Sequence, residues 1–264
     1  MTEAVLVYLL LGAFAGTAAG LLGVGGGLII VPVLALVFSD YGFAPELIMH
    51  LAVGTSLATI VLTSISSVRA HHQRGAVMWP EFARLTPGIV LGAWLGAAVA
   101  HLMPTTAMRI FFGCFELAVA AQLAFGLKPN AHRQLPGNVA MFGAGGVIGT
   151  VSAIVGIGGG TLTVPFLVWC NVAMRNAVAT SSACGLPIAV AGAIGFVVAG
   201  WNQAALPDWS TGYVYWPAFA GIVAASVVFA PLGAWLAHQL PAQTLKRVFA
   251  LFLAVLGIRM LMAL

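Results

Sequence analysis

The sequence predicts an all-α polytopic membrane protein built from two inverted-topology repeats, each a glycine-broken helical hairpin followed by three transmembrane helices. Composition, an internal repeat and the charges of equivalent loops are the observations that predict it. Of 264 residues, 61% are hydrophobic and 6% are charged, whereas a soluble domain carries roughly 25% charged residues. The mean hydropathy is +1.07, and several apolar runs reach the ~20 residues with which a helix crosses a bilayer. We therefore expect a chain whose outer surface contacts the lipid bilayer.

The basic balance of the chain agrees with a membrane protein. The formal net charge is +4, but the Lys and Arg residues are dispersed and indicate no nucleic-acid partner. An excess of Lys and Arg in cytoplasmic loops explains the sign of the charge. The first 22 residues lack the basic start of a signal peptide, so we interpret them as mature transmembrane sequence. Because phosphate-binding, dinucleotide-binding and metal-binding motifs are missing from the sequence, we expect no cofactor, no metal ion, no ATPase domain in this chain and no enzymatic activity.

The chain contains one block of sequence twice. Residues 16–32 read GTAAGLLGVGGGLIIVP, and residues 149–165 read GTVSAIVGIGGGTLTVP in ungapped register. Two shorter matches follow in the same order: AVGTS at 52–56 with AVATS at 177–181, and GAVMWPEFA at 75–83 with GYVYWPAFA at 212–220. Ordered matches of this kind indicate an internal duplication. We place the first repeat at 1–127, a cytoplasmic linker at 128–135 and the second repeat at 136–264.

Each repeat has the same predicted plan of helices. An apolar segment leads into a glycine break, a short apolar arm follows, and three longer spans complete the repeat. The arms would measure about 16 Å as helix, half the thickness of a bilayer. Segment and arm form either a re-entrant hairpin or two tilted crossings, and both return the chain to the side it came from. The three remaining crossings then leave the second repeat inverted. The predicted segments are 4–22, 28–38, 47–68, 82–102 and 107–127, followed by 137–155, 161–170, 176–200, 215–238 and 244–264.

Equivalent loops carry opposite charges, as inversion requires. Loop 69–75 contains two arginines, whereas its equivalent 201–212 contains Asp208 and no basic residue. Loop 39–46 contains two acidic residues, whereas its equivalent 171–175 contains an arginine. We therefore expect loops 69–75, 128–135 and 171–175 to be cytoplasmic. Both termini and loops 39–46 and 201–212 are then extracytoplasmic.

Two glycine breaks, GVGGG at 23–27 and GIGGG at 156–160, are the strongest candidates for a binding site. Glycine runs weaken a helix, and the arm that follows begins with unpaired N–H donors and a positive dipole end, an arrangement that binds anions. Inversion would bring both arm starts together near mid-membrane. Alternatively, the glycines only allow close helix packing. Gly12, outside the break, is expected to tolerate substitution better. The predicted substrate-binding residues here are Gly25, Gly26, Gly27, Gly158, Gly159, Gly160 and the N-cap candidate Thr161, with Pro32 and Pro165 as structural breaks.

Four hydroxyls and one acid within the apolar spans are further candidates. Thr55, Ser56, Thr180 and Ser181 can donate to an oxyanion without the cost of a buried charge, or they bond to a carbonyl one turn back. Glu116 lies in the run FFGCFELAVA, and intramembrane acids are functional by default. It is a possible proton-coupling site, although pairing with Arg109 or exposure to a cavity explains it equally well.

The repeated G-(V/I)-GGG-x-(L/I)-x-VP block, followed by A-V-x-TS, resembles the TauE/SafE family of membrane transporters. Spans that contain GAWL and end in HLMP or HQLP strengthen the resemblance, which covers nearly the whole chain. The resemblance implies transport of sulfite or organosulfonates such as sulfoacetate without ATP, and it implies the plasma membrane, here a bacterial inner membrane. The best-matched positions are Gly25, Gly26, Gly27, Pro32, Thr55 and Ser56, with Gly158, Gly159, Gly160, Pro165, Thr180 and Ser181.

We therefore expect a secondary transporter of a small sulfur-containing oxyanion that works by alternating access. Backbone N–H groups and hydroxyls would bind the anion. One alternative is an integral membrane enzyme acting on a lipid or quinone, for which His71, His72 and Glu81 are the available groups. The other is a non-transporting membrane assembly subunit. The oligomeric state stays open at this point.

Overall fold

The computed structural model describes residues 2–22, 26–126, 134–239 and 242–262. Gly25, most of the predicted linker 128–135 and the extreme termini lie outside the described residues. Within them the chain forms ten helices and one short β-hairpin. The first half contains α1 (Thr2–Leu22), α2 (Gly27–Asp40), α3 (Ile48–Gln73), α4 (Trp79–Leu102) and α5 (Thr105–Phe125). The second half contains α6 (Asn138–Val155), α7 (Gly160–Trp169), α8 (Met174–Ala199), β1 (Ser210–Thr211), β2 (Val214–Tyr215), α9 (Trp216–Gln239) and α10 (Ala242–Met262).

All ten predicted segments are helices, which confirms the all-α prediction. Five of the described helices, α3, α4, α5, α6 and α8, are long and apolar enough to cross a membrane. Large apolar side chains such as Leu91, Leu95 and Val228 are exposed on outer faces, where hydrocarbon rather than water suits them. The chain is therefore a polytopic membrane protein.

The two arms differ in length, and one small element was not predicted. α2 has 14 residues, longer than its predicted range, whereas α7 has 10. The hairpin β1–β2 precedes α9; Trp209, just before β1, and Gly212, in the turn between the strands, both have positive φ. A two-residue strand gives no periodic signal in sequence, so the segment resembled an ordinary loop.

Helices from different halves make the closest contacts. α1 packs on α9, and their equivalents α6 and α4 pack on each other. At both contacts glycines allow one backbone to touch the other, as is common between membrane helices. The contacts match residue for residue in the repeat: Gly12 on Ile222 with Gly145 on Leu85, and Gly16 on Ser226 with Gly149 on Ile89.

These contacts correct the expectation for Gly12. A Cβ at this position would overlap the backbone of Ile222, with the Ile222 Cα only 2.8 Å away. Backbone atoms of a packed helix cannot move aside as a flexible side chain can. Substitution of Gly12 is therefore expected to separate α1 from α9, and this residue is unsuitable as a tolerant control.

Two helices pair with their own repeat equivalents. α3 packs along α8, and α5 packs along α10. Gly192 lies against Leu57, whereas Gly185, earlier in α8, lies near Ser64, later in α3. The two helices therefore run antiparallel. Every residue of α3 from Ile48 to Ile60 is buried, so α3 occupies the centre of the molecule.

The loops gather into two groups at opposite ends of α3. At one end, Pro45 and Glu46 lie beside Gln203 and Tyr213 around one cleft. At the other end, Arg175 donates to the Arg74 carbonyl oxygen at 3.1 Å, and Asn176 donates to the Ala76 carbonyl oxygen at 3.2 Å. These groups match the predicted sets of loops that share a side of the membrane. Which group faces the cytoplasm stays a prediction.

Candidate functional site

The second glycine break is a tight turn between α6 and α7. Gly156 ends α6 with φ +78°, and Gly159 precedes α7 with φ +75°. A residue with a side chain is disfavoured in this left-handed region by roughly 1–2 kcal/mol, so both positions require glycine. The N–H groups of Gly156 and Ile157 donate to the Ser152 carbonyl oxygen at 2.9 and 3.0 Å, which closes the end of α6.

The start of α7 presents free backbone donors. Gly159 is the N-cap, and no side chain caps the helix. Its carbonyl oxygen accepts the N–H groups of Leu162 and Thr163 at 3.1 and 2.8 Å. The N–H groups of Gly160 and Thr161 have no hydrogen-bond acceptor among the residues that the structure describes. Thr161 was predicted as the N-cap, but it lies two residues beyond Gly159, because the left-handed glycine starts the helix earlier.

Two buried hydroxyls lie beside Gly159. The side chains of Ser152 and Thr163 are fully buried. A Cβ built on Gly159 would lie 3.4 Å from the Thr163 Oγ1 and 3.7 Å from the Ser152 Oγ. Neither hydroxyl, nor that of Thr161, has a hydrogen-bond partner within the described part of the chain. An unpaired buried hydroxyl costs about 1–3 kcal/mol, so this cluster suits a ligand that carries hydrogen-bond acceptors.

The first break lies against the second. A Cβ on Gly27 would overlap the Gly156 carbonyl oxygen and lie 3.0 Å from the Ile157 Cα. The start of α2 thus touches the turn that ends α6. Gly26, the N-cap of α2, has an ordinary φ of −71°, and a Cβ there would meet the Ile30 Cδ1 at 3.0 Å. Gly25 lies outside the described residues.

Ser56 connects α3 to the second break. Its hydroxyl donates to the Gly156 carbonyl oxygen at 2.8 Å. The hydroxyl of Ser181, its repeat equivalent, has no partner among the described residues, and the equivalent carbonyl would belong to Gly23, outside them. A Cβ built on Gly158 would lie 3.2 Å from the Ile60 Cγ2 and 4.0 Å from the Gly185 Cα, so both α3 and α8 reach this turn.

Thr55 and Thr180 make one reciprocal pair of contacts. The Thr55 Oγ1 accepts the Tyr215 backbone N–H at 3.0 Å, and the Thr180 Oγ1 accepts the Met78 backbone N–H at 3.0 Å. Met78 and Tyr215 occupy the same position of the repeated GAVMWPEFA and GYVYWPAFA blocks. Each half therefore provides the acceptor for an N–H group just before α4 or α9 of the other half. Both hydroxyls keep their own hydrogen for donation.

The hydroxyl cluster belongs to one half alone. In the ungapped repeat, Ala19, Leu28 and Ile30 stand where the second half has Ser152, Thr161 and Thr163. Leu28 and Ile30 are buried in the hydrophobic core. The polar groups at the two breaks are therefore unequal, although the backbone plan is shared. The repeat predicted two alike glycine sites, and the side chains beside them differ.

The prolines and Glu116 lie elsewhere than at the turns. Pro32 and Pro165 lie inside α2 and α7, which continue past them, so the glycines rather than the prolines break the chain.

Glu116 lies on α5, which packs mainly on α10. It is fully buried, and neither carboxyl oxygen has a hydrogen-bond partner in the described ranges.

Sequence reasoning missed Ser152 and Thr163 as site residues. Both stand in the repeated block beside the glycines, but a hydroxyl within a helix usually bonds to a carbonyl one turn back. Their absence from the first copy of the block, where alanine and isoleucine replace them, was the available signal.

Comparison with known proteins agrees with this fold. The family model for the sulfite exporter TauE/SafE matches residues 8–260. A probable membrane transporter protein of Haemophilus influenzae is 38% identical over 259 residues, 97% of each chain. Probable membrane transporter proteins of Methanocaldococcus jannaschii (26% identical, 96% of this chain and 94% of the relative) and Bacillus subtilis (24% identical, 97% and 96%) are also similar. No solved structure matches. The chain therefore belongs to the TauE/SafE family and is a membrane transporter.

Proposed function

We propose that this chain moves a small sulfur-containing oxyanion, sulfite or an organosulfonate, across the plasma membrane by alternating access. The main support is a pair of buried hydroxyls, those of Ser152 and Thr163, which have no partner among the described residues. They lie beside the free N–H groups at the start of α7. The family is named for sulfite export, and an oxyanion has the acceptors that these donors need. We propose a transport role alone, without catalysis and without an ATPase domain in this chain.

The chemistry of the donors favours an oxyanion over a cation or a neutral apolar solute. Backbone N–H groups at a helix start carry the positive end of the helix dipole. Two hydroxyls add donors without a fixed charge. A charged ligand buried without several such donors would cost many kcal/mol. The proposed substrate-binding set is Ser152 and Thr163 together with the originally predicted Gly26, Gly27, Thr55, Ser56, Gly158, Gly159, Gly160, Thr161, Thr180 and Ser181.

Alternating access would follow from two halves that are inverted in the membrane. The antiparallel contact of α3 with its equivalent α8 supports inversion, since a two-fold axis that exchanges antiparallel membrane spans lies in the membrane plane. The reciprocal bonds of Thr55 and Thr180 support the same axis. We place the proposed site at the second break, which both α3 and α8 reach.

The orientation of the halves has a direct test. Single cysteines placed in loops 69–75 and 201–212 of a cysteine-free variant should react with an impermeant maleimide from opposite sides of the membrane. We expect the 201–212 loop to react from outside in intact cells. Reaction of both loops from the same side would exclude the inverted arrangement.

Transport is tested with purified protein in proteoliposomes. Sulfite, sulfoacetate and sulfate are compared with a neutral solute, with and without a pH gradient. We expect uptake of sulfite or sulfoacetate above protein-free vesicles, and none of the neutral solute. If vesicles take up the same amount of anion with and without the protein, and no anion raises the melting temperature of the protein, a non-transporting subunit is favoured.

The site itself is tested with matched variants. Ser152→Ala and Thr163→Val each remove one unpartnered hydroxyl and should weaken anion binding about tenfold, the effect of one hydrogen bond to a charged group. Ser182→Ala and Thr86→Val are the controls, because those hydroxyls bond to carbonyls within their own helices at 3.0 and 2.7 Å. Unchanged affinity in both site variants would move the substrate away from α7.

A further inference from the structure

A polar cleft opens at the end of the molecule where the loop before α3 meets the β-hairpin. Its volume is about 580 Å³. Its polar and charged lining includes Glu46, His50, His101, Arg109, Gln203 and Tyr213. By the loop charges, this end is the extracytoplasmic one. The cleft was not predicted from sequence, and it lies apart from the glycine breaks.

His50 has unusual hydrogen-bond partners in the wall of this cleft. Its Nδ1 lies 3.1 Å from the Glu46 carbonyl oxygen, and its Nε2 lies 2.9 Å from the Ala100 carbonyl oxygen. A carbonyl oxygen only accepts. A neutral imidazole donates from one nitrogen and presents a lone pair at the other. Both contacts are hydrogen bonds only when both nitrogens carry hydrogen, that is, when His50 is an imidazolium.

Burial of the ring opposes that charge, and its other surroundings favour it. The ring is 4% exposed and lies beside the Tyr213 ring, with centroids 4.9 Å apart. Ala100 lies in the last turn of α4, where the negative end of the helix dipole favours a cation. The other titratable or charged groups that line the cleft are Glu46, His101 and Arg109.

Two other histidines that the structure describes, His101 and His72, have different contacts. The His101 Nδ1 lies 2.9 Å from the Tyr213 hydroxyl, which can donate as well as accept. Burial raises the pKa of that phenol, so it keeps its proton and can donate to the His101 Nδ1. The His72 Nδ1 accepts the Trp79 Nε1–H at 3.3 Å and therefore carries no hydrogen itself.

The repeat adds an independent observation. AVGTS and AVATS align His50 with Arg175, so the same helix position carries a permanent cation in the other half. Arg175 is exposed at the start of α8 and donates to the Arg74 carbonyl oxygen at 3.1 Å, whereas His50 is buried. Position 50 thus has a charged counterpart at the opposite end of the molecule.

We propose that His50 takes up a proton from the extracytoplasmic cleft, and that the resulting imidazolium strengthens binding of the transported anion on that side. This inference rests on the proposed function for the identity of the anion. Protonated His50 spends both N–H groups on carbonyl oxygens, so it acts through its charge rather than by contact with the anion. Anion binding from the cleft then rises as the external pH falls.

Nitrogen-15 NMR tests the protonation without any substrate. Protein labelled at histidine is placed in nanodiscs, and the His50 signals are identified by their loss in His50→Gln. We expect both His50 nitrogens to be protonated at about pH 5, and one to lose its proton at a lower pH than in an exposed histidine, because burial opposes the charged ring. A His50 nitrogen that stays unprotonated at about pH 5 would overturn the proposal.

Binding of ethanesulfonate, which keeps its charge over this range, then tests the consequence. We expect wild-type affinity to rise about tenfold from pH 8 to pH 5, an order-of-magnitude effect of one added positive charge. His50→Gln should lose the rise, His50→Arg should bind tightly at both pH values, and His72→Gln should behave as wild type. A full pH-dependent rise in His50→Gln would refute the role of His50. Failure of every protein to bind the anion, with normal His50 titration, would count against the proposed substrate instead.

Discussion

Gly159→Ala is the most informative change at the candidate site. Gly159 has φ +75°, where alanine costs roughly 1–2 kcal/mol. Its Cβ would also overlap the Ile188 Cδ1 and lie 3.4 Å from the Thr163 Oγ1. Overpacking of this kind typically costs a further 1–3 kcal/mol. We expect a loss of about 2–5 kcal/mol in the free energy of unfolding, and loss of anion binding, since the methyl group occupies the space beside the hydroxyls.

A matched control separates backbone strain from the other effects. Gly126 has φ +63°, and a Cβ there would meet nothing within 4 Å. Gly126→Ala therefore carries the left-handed penalty of about 1–2 kcal/mol alone and should leave anion binding intact. Gly159→Ala with Ile188→Val removes the Cδ1 overlap, so it should recover stability without recovering binding.

Thermal unfolding in detergent and calorimetric binding of sulfite or sulfoacetate measure the two quantities on the same samples. The expected order of stability is wild type, Gly126→Ala, the double variant and then Gly159→Ala. Wild-type affinity in a folded, monodisperse Gly159→Ala protein would refute the reasoning and leave the glycines with a packing role. Recovery of binding in the double variant would show that steric strain, rather than occupation of the site, causes the loss.

Three further tests use five other substitutions. Gly27→Ala should destabilise more than Gly26→Ala in the same unfolding assay, because Gly27 touches backbone whereas Gly26 faces a flexible side chain; the reverse order would contradict the contact between the breaks. Thr55→Val and Thr180→Val should each cost about 1–3 kcal/mol by leaving a backbone N–H without its acceptor, and a large effect in only one would argue against equivalent roles. If Glu116 carries a proton, Glu116→Gln should abolish gradient-driven flux in proteoliposomes and keep substrate binding, whereas undiminished flux would remove it from the mechanism.

The helices were predictable because hydrocarbon imposes a strong rule on the sequence. A chain in lipid must satisfy its backbone internally, so apolar runs of sufficient length are helices, and α8 at Met174–Ala199 differs from its predicted range 176–200 by only a few residues. The arm α2 (Gly27–Asp40) extends beyond its predicted range 28–38 at both ends, with Pro32 inside it. Proline is tolerated inside membrane helices when neighbouring groups satisfy the freed carbonyl.

The candidate site was predictable in its backbone and unpredictable in its side chains. The repeated glycines located both breaks, because few sequences other than turns need so many glycines in an apolar run. The partners of Thr55 and Thr180 depend on a contact between residues more than 100 positions apart. His50 has no motif at all, and only the positions of two carbonyl oxygens distinguish it.

The unequal breaks also bear on how a duplicated fold can carry a single substrate. Two identical half-sites would place two sets of donors around one anion, and any donors left over would remain buried without partners at a cost of about 1–3 kcal/mol each. In this chain the second half holds Ser152 and Thr163 with no partner, whereas the first half holds Ala19 and Ile30 at those positions. The first half therefore contributes its backbone at Gly27, packed on the turn at Gly156, and neither Ala19 nor Ile30 adds a hydroxyl. If the anion binds beside α7, movement of the first half relative to this turn changes access to the donors while the donors themselves stay together. The shared backbone plan then serves the movement, and the side chains that differ serve the binding.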